Sequence, residues 1–260
     1  MPVIALTVAG SDPSGGAGIQ ADLKTFHQHG VYGTAVISLL TVQNTSALSR
    51  IEVMEPELVS QQIDAVANDL HVAAVKTGAL GHASVVEAVA TSLAHHGLRP
   101  VVDPVRISKA GATLLDDAAK QAMLASLIPM AAIVTPNLEE AAWLTGREVE
   151  SEAQMRDAAR ALCDLGARAV LIKGGHRKGP PHDVLLAEDR FVVFSGERID
   201  TPHTHGVGCS LSAAICARIA QGEGVLQACE GAKRWLQQAI ENAPGIGHGH
   251  GPIDHFTQVS

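Results

Sequence analysis

The segment "HTHGVGCSLSAAI" (203–215) places two histidines, two glycines and a cysteine directly before a run of small helix-forming residues. Its residue types fit three kinds of site: a metal ion bound by His203, His205 and Cys209, a Cys/His nucleophile pair, or the anion-binding start of a helix. A helix N-terminus also predicts a lowered pKa for the Cys209 thiol, which could then accept a proton from an attacking hydroxyl. A structural cysteine at the start of a helix is a fourth interpretation. This segment alone leaves all four open.

A second glycine-rich segment, "GSDPSGGAGIQADLKTF" (10–26), follows an apolar run and precedes a helical pattern, which is the setting of a phosphate-binding loop. Its spacing matches neither the GxxxxGK[ST] pattern nor the GxGxxG pattern. A turn that is rich in glycine for steric reasons would explain it equally well. Together with Gly206 and Gly208, however, it favours a bound ligand such as a phosphate.

Short apolar runs alternate with helical patterns along the chain, which predicts a parallel sheet covered by helices on both faces. The apolar runs are 3–10, 33–42, 72–78, 100–104, 131–136 and 169–175. The helical patterns are 57–70, 83–97, 114–128 and 151–166. Polar residues and glycines follow the runs, and ligands bind beyond the carboxyl ends of strands in such sheets, so the site is predicted there. Segment 182–200 predicts an antiparallel edge ribbon with a turn at Ala187 to Arg190.

Composition narrows the functional classes. The 260 residues carry a formal net charge of -8 and only 3% aromatic residues, which argues against a nucleic-acid partner but not against a small anion in a local pocket. Because no apolar run reaches about 18 residues and the N-terminus has no basic region, we expect neither a membrane span nor export. The four cysteines form no CxxC pair and predict free thiols in a reducing cytoplasm. We expect a single domain over residues 1–260.

Seven motifs resemble, in this order, those of the hydroxymethylpyrimidine and phosphomethylpyrimidine kinases of thiamin biosynthesis, which are members of the ribokinase-like family. The motifs are "AGSDPSGGAGIQADLKTF", "TVQNT", "KTG", "VVDP", "TPNLEEA", "LIKGGH" and "HTHGVGCSLSAAI". The resemblance implies a three-layer α/β/α ribokinase-like fold with a mainly parallel central sheet and a short antiparallel edge ribbon. It implies phosphorylation of 4-amino-5-hydroxymethyl-2-methylpyrimidine (HMP), and then of HMP phosphate, with ATP and Mg²⁺. It also implies a homodimer.

The resemblance assigns roles around the transferred group. Cys209 matches the base that activates the substrate hydroxymethyl group, and Gly206 and Gly208 match the anion hole for the phosphoryl group. This agrees with the anion-binding helix start inferred from the residues, since phosphoryl transfer depends mainly on positioning and charge stabilisation.

The resemblance assigns the nucleotide side of the site as well. Asp103, Asn137 and Lys173 match residues near the nucleotide phosphates. Asp103 and Glu140 match residues near the magnesium ion.

On the acceptor side, the resemblance implies that Gln43 pairs with the aminopyrimidine edge. This makes chemical sense, because a side-chain amide offers a donor and an acceptor together. Four further residues match the wall of the same pocket: Gly10, Asp22, Ala79 and Val105.

Three positions depart from the family pattern. Val207 stands where many relatives have threonine, and Ala79 and Arg106 stand where methionine is common. Arg106 is interpreted either as a solvated surface side chain or as a clamp on an already phosphorylated substrate. The change at Ala79 leaves a pyridoxal or pyridoxine kinase of the same fold open as an alternative, although Gln43 favours the aminopyrimidine. A catalytically silent small-molecule binding protein is a second alternative, which loss of the base or metal residues would favour; these residues are all present.

Overall fold

The computed structural model describes residues 2–109, 111–175 and 181–259, so His176 of the "LIKGGH" motif lies outside the described residues. These residues contain nine strands and eight α-helices. The strands are β1 (Ile4–Ser11), β2 (Tyr32–Gln43), β3 (Leu48–Val53), β4 (Val72–Thr77), β5 (Pro100–Val102), β6 (Ile133–Val134), β7 (Ala169–Ile172), β8 (His182–Ala187) and β9 (Arg190–Ser195). The helices are α1 (Gly18–Gln28), α2 (Pro56–Asp69), α3 (Ala83–His95), α4 (Asp117–Ala122), α5 (Leu138–Thr145), α6 (Glu152–Asp164), α7 (Val207–Ala220) and α8 (Val225–Glu241).

All nine strands of the described residues form one sheet in the order β3-β2-β1-β4-β5-β6-β7-β8-β9. The strands from β2 to β7 in this order are parallel, as the alternation of apolar runs and helical patterns predicts. The predicted edge ribbon is confirmed as β8 and β9, which are antiparallel. At the opposite edge, β3 pairs antiparallel with β2 and was not predicted. Its residues are half-buried or exposed, so it lacks the continuous apolar run of the central strands.

The turn of the edge ribbon lies where the sequence predicts it. Glu188 and Asp189 connect β8 to β9 and have φ angles of 50° and 59°. Two consecutive positive φ values form the two-residue hairpin turn whose twist matches that of the flanking strands.

Helices cover both faces of the sheet and create two hydrophobic cores. One core joins the sheet to α2, α3, α4, α5 and α6, and the other joins it to α1, α7 and α8. Neighbouring residues of β7 face opposite cores: Val170 and Ile172 pack in the first, Ala169 and Leu171 in the second. The predicted fold class is therefore confirmed. Across the described ranges, no helix combines the length and the apolar character that crossing a membrane requires.

The predicted helix at 114–128 is shorter and less regular than its pattern suggests. The Asp116 carboxylate accepts a hydrogen bond from the backbone N–H of Ala119 at 2.8 Å and caps α4, so the helix begins at Asp117. After α4 the chain forms a π-helical turn (Met123–Leu127) and a 3-10 turn (Ile128–Met130). Pro129 in the last turn explains why no regular helix continues there.

The segment 243–256 folds back over the loops at the carboxyl end of the sheet. The backbone N–H of His250 donates to the carbonyl of Thr45 at 2.8 Å, just beyond the end of β2. The backbone N–H of His205, just before α7, donates to the carbonyl of Gly251 at 3.1 Å. The segment therefore ties the loop after β2 to the loop before α7.

A buried histidine closes the C-terminal end of α1. The Nδ1–H of His29 donates to the carbonyl of Thr25 at 2.9 Å, and its ring packs edge-on against Trp235 with 4.9 Å between the ring centres. Its Nε2 is buried and has no hydrogen-bond partner within the described part of the chain. Burial, with the nearby positive charge of Arg218, lowers the pKa of His29 to about 4, although the bond to Thr25 opposes this shift.

We predict that His29 makes the fold less stable in acid. Its pKa is about 6.5 in an unfolded chain, so between pH 6.5 and pH 4 the unfolded chain binds a proton that the folded chain does not, and stability falls as the pH falls through that window. This histidine should account for about 2 kcal/mol of the stability lost between pH 7 and pH 5. Urea unfolding of the wild type and His29→Phe at both pH values measures the difference. His27→Phe, at an exposed position of the same helix, is the control, and an equal acid loss in wild type and His29→Phe would contradict the prediction.

Candidate active site

A cavity of about 1320 Å³ opens at the carboxyl end of the sheet, where the sequence predicts the site. Its walls come from the loops after the parallel strands, from the start of α7, and from β9 and α8. Eleven of the twelve predicted site residues line it: Gly10, Gln43, Ala79, Asp103, Val105, Asn137, Glu140, Lys173, Gly206, Gly208 and Cys209. The twelfth, Asp22, lies behind this wall.

The start of α7 forms one wall of the cavity. Gly206 precedes the helix with a φ of 76°, and a Cβ at this position would overlap the carbonyl oxygen of Gly16. The two glycine-rich segments therefore touch backbone to backbone, and only glycine fits at position 206. Because Gly206, Gly208 and Cys209 all border the cavity, the positive end of the helix dipole faces it. This geometry is able to bind an anion, as the sequence predicts.

The Cys209 thiol is harder to ionise than its place at a helix start predicts. Burial raises its pKa to about 11; the Lys76 ammonium opposes the shift, while the carboxylates of Asp103 and Asp22 add to it. The predicted lowering of this pKa is therefore wrong for this structure. Desolvation and the two nearby negative charges exceed the opposing effects of Lys76 and of a backbone hydrogen bond from Gly18, so the thiol is protonated at neutral pH.

A fully buried ion pair underlies this wall. The Nζ of Lys76 donates to both carboxylate oxygens of Asp22, at 2.9 and 2.8 Å, and Thr7 Oγ1 donates to the same carboxylate at 2.6 Å. Burial alone would lower the pKa of Lys76, but Asp22, and to a lesser degree Cys209 and Asp103, raise it, so the ammonium stays charged. Lys76 lines the cavity, and Asp22 acts on the cavity through it. Sequence reasoning placed Asp22 in the pocket wall and gave Lys76 no role.

The nucleotide-side residues form a second charged cluster. The Nζ of Lys173 donates to Asp103 Oδ1 at 3.0 Å, and Ser212 Oγ of α7 donates to Asp103 Oδ2 at 3.3 Å. Burial raises the pKa of Glu140 to about 7; the Lys173 charge opposes this shift and the Asp103 charge adds to it. The cluster thus joins one ammonium and two carboxyl groups at the cavity wall.

Asn137 and Glu140 have a structural role as well. The Asn137 side chain accepts a hydrogen bond from the backbone N–H of Glu140, and the Glu140 carboxylate accepts one from the backbone N–H of Asn137, both at 2.8 Å. This reciprocal capping box begins α5 and fixes both side chains at the cavity. The "NxxE" spacing is therefore also a helix-start signal.

The carboxylates of Asp103 and Glu140 fit a magnesium ion only if substrate phosphates and water supply its other ligands. Across the described residues, no three His, Cys, Asp or Glu side chains meet as a metal-binding group. Mg²⁺ is commonly held by one or two carboxylates together with substrate phosphates and water, and two carboxyl groups beside a cavity match that mode.

The two histidines of segment 203–215 point to different partners. His205 Nε2 lies 2.7 Å from Asp12 Oδ2 and 3.1 Å from one end of the Gln43 side-chain amide. His203 lies against Gly245 and Gly251 of the returning segment. Asp12 and His205 both line the cavity, although sequence reasoning gave Asp12 no role and considered His205 only as a metal ligand or nucleophile partner.

The far end of the cavity was not predicted at all. It lies between the end of β9 and one face of α8, where Phe194, Lys233 and Gln237 line it. Lys233 is paired with the Asp183 carboxylate of β8, which also accepts a hydrogen bond from the Gly174 backbone N–H at 2.8 Å. No local motif marks these residues, because only the packing of α8 against the edge ribbon brings them together.

Arg106 packs against an aromatic ring in this structure. Its guanidinium carbon lies 5.2 Å from the centre of the Trp143 ring, and Lys120 approaches the same ring at 5.7 Å. The Arg106 backbone remains at the cavity wall, where it donates to the Glu140 carboxylate. Arg106 is half-buried, and its Nε is buried without a hydrogen-bond partner among the described residues, so it is not a fully solvated surface side chain. Its role as a clamp on a phosphorylated substrate stays a prediction.

Comparisons with known proteins match nearly the whole chain to one group of kinases. A model of the phosphomethylpyrimidine kinase family matches residues 12–254. The chain is 47% identical over 260 residues to the hydroxymethylpyrimidine/phosphomethylpyrimidine kinase of Rhizobium meliloti (strain 1021), with 98% of each chain covered. It is similar to an ADP complex of Bacillus subtilis pyridoxal kinase, with a TM-score of 0.92 and 36% identity over 99% of this chain and 98% of that one. It is also similar to phosphomethylpyrimidine kinase from Clostridium difficile 630, with a TM-score of 0.82 and 38% identity over 92% and 99% of the two chains.

We predict that breaking the buried ion pair is costly. Lys76→Met or Asp22→Leu leaves an uncompensated buried charge and should lower the free energy of unfolding by about 3 to 5 kcal/mol. The double variant Asp22→Leu/Lys76→Met should lose less than the sum of the two. Urea unfolding measures all three, with Arg50→Met as the control, since Arg50 pairs with Glu52 at 2.7 Å on the surface and should lose no more than about 1 kcal/mol. If Lys76→Met lowered the free energy of unfolding by no more than Arg50→Met does, the prediction would be contradicted.

Proposed function

The chain belongs to the phosphomethylpyrimidine kinase family, as its motifs predict, and from this premise we propose that it phosphorylates HMP to HMP phosphate and HMP phosphate to HMP diphosphate with ATP. The observation that carries the proposal is the meeting of three elements at one cavity. These are the anion-binding start of α7, the cluster of Lys173, Asp103 and Glu140, and the amide of Gln43. Together they provide for a phosphoryl group, a nucleotide and a heteroaromatic acceptor.

The acceptor lies at the Gln43 side of the cavity. The amide pairs with the edge of the aminopyrimidine ring, and Gly10, Ala79 and Val105 form the surrounding wall. A Cβ on Gly10 would lie 2.5 Å from Leu39 Cδ1, so glycine lets the end of β1 pack closely beside the side chains of β2. In this arrangement Asp22 contributes through its ion pair with Lys76.

The nucleotide lies at the Lys173 side, and its base and ribose extend toward β9 and α8. Lys173 and Asn137 contact the phosphates, and Asp103 and Glu140 hold Mg²⁺ when it is bound. The metal ion supplies charge neutralisation on the phosphate oxygens. The bound ADP in the similar Bacillus subtilis pyridoxal kinase supports a nucleotide partner for this fold.

Phosphoryl transfer takes place at the start of α7. The backbone N–H groups around Gly206 and Gly208 stabilise the charge of the transferred group, and Cys209 lies beside the acceptor hydroxyl and takes its proton. Because the Cys209 pKa is about 11, only a small fraction of the thiol is ionised at pH 7. Phosphoryl transfer through a loose transition state asks for little covalent chemistry from the protein, so a base that is ionised in only a small fraction of molecules suffices.

Two further proposals concern the setting of the enzyme. The four cysteines are free thiols in the structure, which supports a reducing cytoplasmic location. The family resemblance supports a homodimer, which sedimentation of the purified protein tests directly.

We predict that the purified chain with Mg-ATP converts HMP to the monophosphate and then to the diphosphate. ADP release, with the products identified by mass, measures both steps, and omission of Mg²⁺ should abolish them. Pyridoxal is the comparison acceptor. Turnover of pyridoxal alone would reassign the acceptor within the same fold, and turnover of neither would favour a silent binding protein.

We predict that Cys209→Ala retains binding of both substrates and lowers kcat by about 10²- to 10⁴-fold, because it removes the proton acceptor without altering the anion-binding backbone. In the wild type, kcat should rise from pH 7 to pH 9 as the thiolate fraction grows, and in Cys209→Ala this rise should be absent. Steady-state kinetics across this range measure both effects. Cys216→Ala, a buried cysteine of the same helix away from the cavity, is the control. An unchanged kcat in Cys209→Ala would show that the thiol is not the base.

A further inference from the structure

Three side chains from distant parts of the chain meet at the acceptor end of the cavity. Asp12 follows β1, Gln43 ends β2, and His205 precedes α7. The Nε2 atom of His205 lies 2.7 Å from Asp12 Oδ2 and 3.1 Å from one end of the Gln43 amide. All three residues line the cavity, and His205 and Asp12 are only 5% and 3% exposed.

Asp12 is held rigidly in the first glycine-rich segment. Its Oδ1 accepts hydrogen bonds from the backbone N–H and the hydroxyl of Ser14, at 2.9 and 2.7 Å, and its Oδ2 accepts one from the backbone N–H of Ala17 at 2.9 Å. Burial alone would raise the pKa of Asp12, but the hydrogen bonds from His205 and Ser14 lower it. Asp12 is therefore an ionised carboxylate that cannot turn away from His205.

The His205 ring is fixed in place as well. A Cβ at Gly16 would lie 2.5 Å from His205 Cδ2 and 3.3 Å from Pro252, so the ring fills the space that the glycine leaves. The backbone N–H of His205 donates to Gly251, which anchors the residue from the other side. The ring thus has one orientation, with Nε2 between Asp12 and Gln43.

This arrangement decides the proton position on His205. An ionised carboxylate only accepts hydrogen bonds, so the contact of 2.7 Å requires a proton on Nε2 of His205. A protonated ring nitrogen has no free lone pair and cannot accept a hydrogen bond from the Gln43 amide. The two ends of the amide have the same shape, so hydrogen bonding and not shape decides which end faces the ring. The one N–H of Nε2 already donates to Asp12, so the carbonyl oxygen of Gln43 can join as the second acceptor of a three-centre hydrogen bond. The NH₂ group in that place would set two donors against each other.

We propose that His205, held by Asp12, is a positioning residue that turns the Gln43 amide so that its NH₂ group faces the acceptor substrate. In the part of the chain that the structure describes, no other hydrogen bond joins the Gln43 side chain, so its second end is available to a ligand. The acceptor must then present a hydrogen-bond acceptor at this point, such as an unprotonated ring nitrogen. This inference rests on the proposed function, in which Gln43 meets the heteroaromatic ring.

A double-mutant cycle tests the coupling of His205 to Gln43. His205→Leu and Gln43→Ala should each raise the KM for HMP by about tenfold or more, because each removes the oriented donor. Neither should change the KM for ATP by more than about twofold, which is within the spread expected of an uncoupled distant site. The double variant should be no worse than Gln43→Ala alone, since His205 acts only through the amide. His203→Leu, from the same segment but without contact to Asp12 or Gln43, is the control and should leave the ratio of the two KM values unchanged.

Gln43→Glu tests the direction of the amide and leaves the His205 scaffold intact, which matters if His205→Leu does not fold. Glutamate presents oxygen at both ends, so it keeps the contact with His205 but loses the donor toward the ring. We expect the KM for HMP to rise as in Gln43→Ala, and a wild-type KM would overturn the proposal. If the wild type phosphorylates HMP but His205→Leu and Gln43→Ala have additive effects on the KM for HMP, this proposal is overturned and the proposed function stands. A wild type that does not phosphorylate HMP would overturn the proposed function, and this inference with it.

Discussion

The charge of Lys76 is the constraint around which the acceptor end of the site is arranged. An ammonium without exposure to water is stable only when a carboxylate meets it closely, and Asp22 does so with both oxygens while Thr7 donates a further hydrogen bond. Lys76 is the penultimate residue of β4 and Asp22 belongs to α1, so the pair fixes the first helix against the sheet below the cavity. The thiol of Cys209, above this pair, is therefore placed in an environment of fixed charge and little water.

An acidic protein can bind a strongly anionic nucleotide when positive charge is concentrated at the binding site. The chain carries a net charge of -8, yet Lys173 and the positive end of α7 face one cavity, and the Lys76–Asp22 ion pair lies buried beneath its wall. Asp103 pairs with Lys173 and leaves Glu140 in a setting where its pKa is about 7. Without a bound cation, this carboxyl group is therefore only partly ionised at neutral pH.

The sequence predicts the fold and the position of the site for physical reasons that are local. Buried parallel strands require continuous apolar runs, and the runs at 72–78 and 169–175 predict β4 and β7. β3 lacks this signal because an edge strand alternates its exposure. The direction of the Cys209 pKa shift could not be inferred from its position at a helix start, because it depends on the burial and the charges that distant residues create. The role of His205 also depends on a partner 193 residues earlier, which no local pattern specifies.

The backbone contact between Gly16 and Gly206 has a consequence for how this pocket can diversify. A side chain at position 206 would displace the opposite loop, and one at position 16 would displace the His205 ring, so neither loop can change its course independently of the other. Variation in acceptor preference must therefore enter through side chains on the rigid strand ends, such as Leu39 and Ala79, which line the same pocket without carrying the loops. The two glycine loops that bind the transferred phosphoryl group and the side chains that select the acceptor can thus evolve separately. In directed evolution of this chain, the accessible positions are those of the acceptor-selecting side chains.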